Sequence, residues 1–482
     1  MLFRSPVKLI VASLLLFTLC AKAQNGHYWF PDYGPGGFLT PGAVIANNRD
    51  SGVLFYNPAL LANVLENSAS VSGNVYQYGA IDIKNGIGAG LDLKSVNTSI
   101  VPLMAANVLH LKLKKPFTIG YALINTPMLN YLVTQRKDAK FNVLNDSYSP
   151  GPEYFLGQYT AQNSINETSL ILSAGYKVSS RLSLGLTAEG QIHKQTYSET
   201  YSARALINTA TDTLDPPIVN SQEYYLLTYT HYGVRFKGGL AYDITDRQHI
   251  GLLVSSPLLH LGGTATLTSD NVINNLQIDS AYNLYLLAST RQTGLKPKWK
   301  LPLSIALGYT YEYDKGEIYV SAETFLKVKD YNIITPQNSY FIRPDTANNS
   351  ATSALLKMED ARKAITNVSV GITYRIKPTV TAYFSMRTDF NYIDNALLKD
   401  QESYTSNTAD WNEYHWQLGA NFKKRKFNLR VGILITYGAT NKYLQPVNFD
   451  DPNESNYLLG DPHATHASQF SAGLMLAYIH NF

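Results

Sequence analysis

The chain has 482 residues, 45% of them hydrophobic and only 16% charged, with 35 Tyr, 32 Gly and one Cys. Soluble chains usually carry about 25% charge, yet past the extreme N-terminus no run of about 18–20 apolar residues supplies a membrane-crossing helix. Apolar and aromatic residues are too plentiful for intrinsic disorder, which leaves an all-β chain in unusual surroundings.

At the N-terminus, Arg4 and Lys8 precede the apolar stretch from Leu9 to Leu19, and Ala21-Lys22-Ala23 follows as a small-x-small cleavage signal. The pattern predicts a secretory signal peptide over residues 1–23, cleaved near Ala23. Leu19 stands before Cys20 where a lipidation signal needs a small residue, which argues against a lipid anchor. Because Arg4, Lys8 and Lys22 leave without any acid, the formal charge falls from +4 to +1. That near-neutral balance gives no electrostatic footprint for nucleic acid. A mature chain without cysteine has no disulfide, thiolate metal site or catalytic thiol.

Residues 24–68 come next and are rich in Gly, Pro, Asn and small apolar side chains, as in Gly34-Pro35-Gly36-Gly37, Pro41-Gly42 and Asn57-Pro58-Ala59-Leu60-Leu61. This stretch is too apolar for a solvated tail. It is expected to fold as a compact plug, with glycine and proline making tight turns where side chains crowd.

From about residue 69 the apolar side chains fall on every second position. Val368, Val370, Ile372, Tyr374 and Ile376 alternate with Asn367, Ser369, Gly371, Thr373 and Arg375; Phe427, Leu429, Val431, Ile433, Ile435 and Tyr437 do the same with mostly polar neighbours. A soluble β-sandwich alternates too, so the connections must decide. Short polar turns near 114–116, 179–180, 245–247, 314–316, 377–378 and 423–426 alternate with long loops over 78–97, 127–165, 200–222, 267–299, 330–363, 393–410 and 439–466.

This alternation predicts a transmembrane antiparallel β-barrel of about 14 strands over residues 69–482, its short turns periplasmic and its long loops outside. The predicted strands are 69–77, 98–112, 116–126, 167–178, 181–198, 222–243, 247–266, 300–313, 317–328, 365–376, 379–392, 411–423, 427–438 and 468–482. Closure is required because hydrocarbon leaves an open sheet edge unsatisfied. Tyr309, Tyr311, Tyr313, Trp411, Tyr414 and Trp416 are expected in interfacial aromatic girdles. The apolar piece Tyr282 to Ala288 is left over as a loop helix or lid.

The stretch Asp50-Ser51-Gly52-Val53-Leu54-Phe55-Tyr56-Asn57-Pro58-Ala59-Leu60-Leu61-Ala62 resembles the hatch motif of the FadL-like outer-membrane long-chain fatty-acid transporter family. The resemblance in architecture spans the mature chain, although the long, tyrosine-rich loops depart from the family pattern. It implies an N-terminal hatch inside a 14-stranded barrel, with Phe55, Tyr56, Asn57, Pro58, Ala59 and Leu60 as hatch or ligand-contacting residues. It further implies an external hydrophobic groove and ligand exit through a gap in the wall. The terminal Phe482 resembles the signal read by the bacterial outer-membrane assembly machinery. Outer-membrane lipid and lipopolysaccharide would surround such a barrel.

Passive uptake of a fatty acid or similar hydrophobic molecule needs an apolar path, worth about 0.8 kcal/mol per buried methylene, and optionally a cation for a carboxylate. By parity the lumen cations are Arg181, Arg375, Arg387 and Arg430. A wall opening needs an interrupted ladder. Pro102 and Asn107, with Gly120 and Ala122 on the next strand, mark the expected opening, contacted by the Asn57-Pro58 turn. Enzyme readings find less support, because no Gly-x-Ser-x-Gly elbow occurs and His463 and His466 after Asp461 have no further fixed metal ligand. No cofactor is implied. The alternative reading is a FadL-like barrel acting as a scaffold or shuttle in outer-membrane protein secretion; a third, a general polar porin, would have a charged lumen and no plug.

Overall fold

The computed structural model describes residues 26–29, 45–47, 51–64, 66–111, 117–208, 217–279, 282–343, 352–398, 404–405 and 411–482. The expected signal peptide, the Gly-Pro-rich run at 34–42 and the turn at 114–116 lie outside the described residues.

The strands are β1 (Ser68–Ile83), β2 (Leu93–Leu111), β3 (Phe117–Phe141), β4 (Glu153–Lys177), β5 (Leu182–Leu206), β6 (Ile218–Thr245), β7 (Gln248–Ser255), β8 (Leu259–Asp279), β9 (Tyr282–Leu295), β10 (Ser304–Tyr313), β11 (Gly316–Phe325), β12 (Val328–Ile334), β13 (Met358–Arg362), β14 (Ile365–Lys377), β15 (Val380–Asp389), β16 (Glu413–Lys423), β17 (Phe427–Leu444) and β18 (Ala464–Asn481). Among the described residues, fourteen of them form a closed antiparallel barrel: β1 to β7, then β10, β11 and β14 to β18, with β18 returning to β1. Each sits on one of the fourteen segments where alternation places a strand.

The alternation is inside out relative to a soluble protein. Val368, Val370, Ile372, Tyr374 and Ile376 of β14 are all exposed, while Asn367, Ser369 and Thr373, which alternate with them, are buried. The same holds on β17, where Ile433, Ile435 and Tyr437 face outward and Arg430, Leu434 and Thr436 inward. Apolar side chains that coat the outside gain nothing from water and are satisfied only by hydrocarbon.

Several strands run well past their expected ends. β3 and β4 continue through most of the expected loop at 127–165 and stay paired to Phe141 and Glu153. In these extensions the inner face packs in a buried apolar cluster with Tyr131, Val133, Phe155 and Tyr159, while the outer face carries both polar and apolar side chains, so polarity no longer alternates cleanly along the sequence although the ladder persists. Two further corrections concern single segments. Tyr282 to Ala288 is no helix or lid but the start of β9, paired with β8. Trp411, expected in an outer girdle, is wholly buried, whereas Tyr309 and Tyr311 do face outward.

Two departures from a plain cylinder shape the interior. β6 changes partner along one edge, pairing with β7 from Lys237 to Thr245 and with β8 from Asn220 to Val234. β8 thus leaves the ring and carries β9 with it. In the expected loop at 330–363, β12 and β13 form a separate two-stranded sheet, held to the body by Lys298 N–H donating to Ile333 O at 2.9 Å.

Candidate functional site

The N-terminal segment lies against the inner face of the wall and is shaped by its own sequence. Asn57 caps a short 3-10 helix (Pro58–Asn63), accepting from Ala59 N–H, with proline at the first helical position where no N–H is missed. The Asn57 amide donates to Ile45 O at 2.8 Å and to the wall carbonyl Leu240 O at 3.1 Å. One buried side chain therefore ties the helix, a second piece of the N-terminal segment and the barrel together.

The wall makes room by omitting side chains. Gly120, Gly175, Gly185, Gly239, Gly251 and Gly308 come from six adjacent strands, β3 to β7 and β10, and face the lumen. A Cβ on any of them would lie under 3.0 Å from Leu54, Ala62, Pro58, Asn57 or Ile45. Gly175, Gly185 and Gly239 are direct register partners, as are Gly251 and Gly308. Around this seat Leu54, Leu60, Leu61 and Val64 pack on Val108, Ala122, Ile124 and Ile171.

At the turn before the helix, Phe55 projects into the lumen. Lys237 Nζ donates to Phe55 O at 3.2 Å, sits 4.2 Å from the centre of its ring and pairs with Glu189 at 3.0 Å. On the opposite side, the Asp389 carboxylate accepts from Tyr28 N–H at 3.3 Å, Trp29 N–H at 3.0 Å and the Asn367 amide at 2.9 Å. The earliest described residues are thereby held against β14 and β15.

Between these anchors lie two cavities of about 70 and 80 Å³, both bordered by Tyr28, Phe55, Arg235, Lys237 and Phe325. The larger reaches Ile124, Thr126 and Met128 on β3, and the smaller reaches Arg387 and Ser255. Each has room for two or three waters at about 30 Å³ each, whereas a cavity of about 150 Å³ takes one benzene ring. Each alone is thus about half the size that one benzene ring needs.

The wall is interrupted beside the larger cavity. The β2–β3 ladder runs from Leu111↔Phe117 to Met104↔Ile124 and stops, although both strands continue. Farther up, side chains take over, with Asn130 donating to Asn97 at 3.0 Å, Leu132 N–H to Ser95 Oγ at 3.1 Å and Gln135 to Asp92 O at 3.0 Å. Register breaks cluster at the same height: between Asn74 and Gln77 where β1 meets β2, and between Pro127 and Leu129 where β3 meets β4. Ile100, beside the interruption, is 75% exposed.

The residues singled out from sequence separate into groups. Asn57, Pro58, Ala59 and Leu60 are buried on the glycine seat, with Phe55 and Tyr56 at the cavities. Pro102 lies in β2 opposite Gly73, just beyond the last β2–β3 pair. Asn107, Gly120 and Ala122 lie below the interruption in a continuous ladder, and the segment touching Gly120 is Leu54 rather than the Asn57-Pro58 turn, which rests on Gly185 and Gly239. Arg387 and Arg430 are buried inside. Arg181 and Arg375 are exposed next to short turns, because at strand ends parity no longer separates lumen from water.

Sequence reading missed Arg235 and Lys237, although they share the inward parity of His231 and Gly239 on β6. It also missed Arg362, paired with Asp360 at 2.9 Å and lying 4.4 Å from the Trp299 ring centre; it belongs to β13, where no periodicity marks a strand.

The chain matches no protein-family model and no curated protein sequence. Among solved structures it is similar to a FadL homologue of Pseudomonas aeruginosa, with TM-score 0.57 and 13% identity over 96% of this chain and 100% of that one. It is likewise similar to the toluene transporter TodX of Pseudomonas putida, with TM-score 0.55 and 12% identity over 92% of this chain and 96% of that one. For the toluene transporter TbuX of Ralstonia pickettii the values are 0.56 and 12%, over 94% and 99%. The likeness extends to the whole barrel and establishes a FadL-type fold.

Proposed function

We propose that this FadL-type barrel sits in a bacterial outer membrane and admits small hydrophobic molecules by passive diffusion, with residues 24–68 acting as its hatch. The interruption of the ladder between β2 and β3, next to the cavity lined by Ile124, Thr126 and Met128, carries the reading. A molecule reaching that cavity would pass sideways into hydrocarbon, so it would never cross the aqueous space at the short-turn end. Burying apolar area lowers its free energy by about 25 cal/mol per Å², which favours the sideways path over release into water.

Long-chain fatty acids, aromatic hydrocarbons and compounds of similar character all meet this requirement. Glu189 with Lys237 and Asp360 with Arg362 are ion pairs, so the lumen is not a field of one sign such as steers a charged solute.

The test uses the cysteine-free mature chain, since Cys20 lies in the expected signal peptide. A Met128→Cys variant is folded first, reconstituted in liposomes, and then alkylated with a bulky maleimide. Toluene entry should fall at least twofold on alkylation and stay unchanged for wild type given the same reagent. Equal entry before and after labelling would exclude the β2–β3 interruption as the route.

A further inference from the structure

The fork where β8 leaves the ring is a second weak place in the wall. Ser255 and Ser304 are the last pair of the β7–β10 ladder, and Leu258 N–H donates to Leu301 O at 3.2 Å just above. Pro257 therefore stands opposite Pro302. Proline has no N–H, so neither residue can give the other's carbonyl its ladder bond.

Side chains fill that role. The Pro257 carbonyl accepts from the Ser256 hydroxyl at 2.9 Å. Arg235 reaches across from the lumen face of β6, donating from Nη2 to Pro302 O at 3.4 Å and Ser304 Oγ at 3.2 Å, and from Nε to Ser256 O at 3.0 Å. Between the Ser255–Ser304 pair below and the Leu258–Leu301 bond above, the strands are thus joined by a side-chain clasp in place of ladder bonds.

What lies on either side gives the seam its meaning. Inside, Arg235, Lys237, Leu253 and Ser255 border the smaller lumen cavity. Outside, Phe236, Val254 and Pro257 join Tyr121, Leu172 and Leu186 around an apolar groove of about 800 Å³. Successive residues of β6 and β7 thus point alternately into the two spaces, and only the thickness of the sheet separates them. β7 has 8 residues; at about 3.3 Å each and a tilt of about 40°, the seam stands roughly 20 Å above the short turn. That is within an apolar band about 25 Å tall.

We propose that this double-proline seam is a second lateral port, through which an uncharged apolar molecule passes between the lumen and the outer groove, with Arg235 as its clasp. The proposal rests on the transport reading above. A carboxylate would be retained by Arg235 and Lys237, so the port favours neutral cargo.

Toluene entry into liposomes tests it. A Leu258→Cys, Leu301→Cys pair, oxidised after folding, would pin the seam above the prolines; entry should drop by at least about a quarter and recover with reductant. Arg235→Met, which keeps the length and loses every donor, should raise entry at least twofold. Because the disulfide is made and broken in the same folded sample, misfolding does not mimic the result. If oxidation and Arg235→Met both leave toluene entry unchanged while alkylated Met128→Cys lowers it, the second port is refuted and the transport reading stands. If wild type admits no toluene at all, both fall together.

Discussion

Gly185→Ala is the sharpest probe of how the N-terminal segment is seated. A Cβ at residue 185 would lie under 3.0 Å from backbone atoms of Pro58 and Ala59, where ordinary contact begins near 3.4 Å. These are backbone atoms on both sides, so no rotamer relieves the clash. The helix must retreat by about 1 Å, at the cost of about 1–3 kcal/mol typical of overpacking. Retreat also strains the bonds from Asn57 to Ile45 O and Leu240 O.

At tenfold per 1.4 kcal/mol, the unseated population rises roughly fivefold to more than a hundredfold. The barrel ladder is untouched, because Gly185 keeps its backbone pairings with Gly175 and Gly239. The assay is therefore paired: heat-modified gel mobility reports the barrel, and ion leakage through planar bilayers reports the seat. Leakage should rise at least fivefold with barrel mobility unchanged. Gly262→Ala, whose Cβ would meet nothing within 4 Å, serves as control and should leave leakage unaltered. If Gly185→Ala leaks no more than the control, the seat does not hold the segment in the way described.

Lys237→Met strands Glu189 as a buried charge and should cost about 3–5 kcal/mol, seen as a lower denaturation midpoint; adding Glu189→Gln should restore most of it. Asp389→Ala removes the acceptor of the Tyr28 and Trp29 amides. It should raise the maleimide reactivity of a His27→Cys reporter about tenfold or more, given roughly 1.5–3 kcal/mol per charge-assisted bond. In the loop between β1 and β2, the Lys84 ammonium beside Asp92 holds its carboxyl down at about 2, against an ordinary 3.8, with help from Asn85 N–H and Lys94. A depressed carboxyl stabilises the folded form above its ordinary value and loses that effect as pH falls through the depressed one. Pepsin cleavage within residues 84–92 should therefore be slow at pH about 4 and accelerate toward pH about 2.

How much of this was legible in the sequence depended on what each face of a strand touches. On β14 and β17 one face meets hydrocarbon and the other the lumen, so Val368 to Ile376 and Phe427 to Tyr437 read correctly. Gln135, Arg136, Lys137 and Asp138 of β3 lie past that band and are all polar, so their alternation in burial leaves no trace in the sequence, although they are paired with Tyr159 to Leu156 of β4. The same limit hid β12, β13 and Arg362. The seat was half visible: Gly185 stood on the polar parity, but its contact with Pro58 spans 127 positions that no local pattern connects. The ladder's end at Met104 was marked by Pro102, while the fork at Pro257 needed its partner Pro302 from beyond the whole β8–β9 hairpin.

The six glycines of the seat bear on how the molecule is assembled. They arrive from positions 120 to 308, so the cradle does not exist until six strands stand side by side. The segment it receives is synthesised before any of them. During insertion that leading stretch has nowhere to settle and must wait unattached, and distant contacts of this sort form slowly. The part of the protein that is born first thus comes home only after six later strands have found one another.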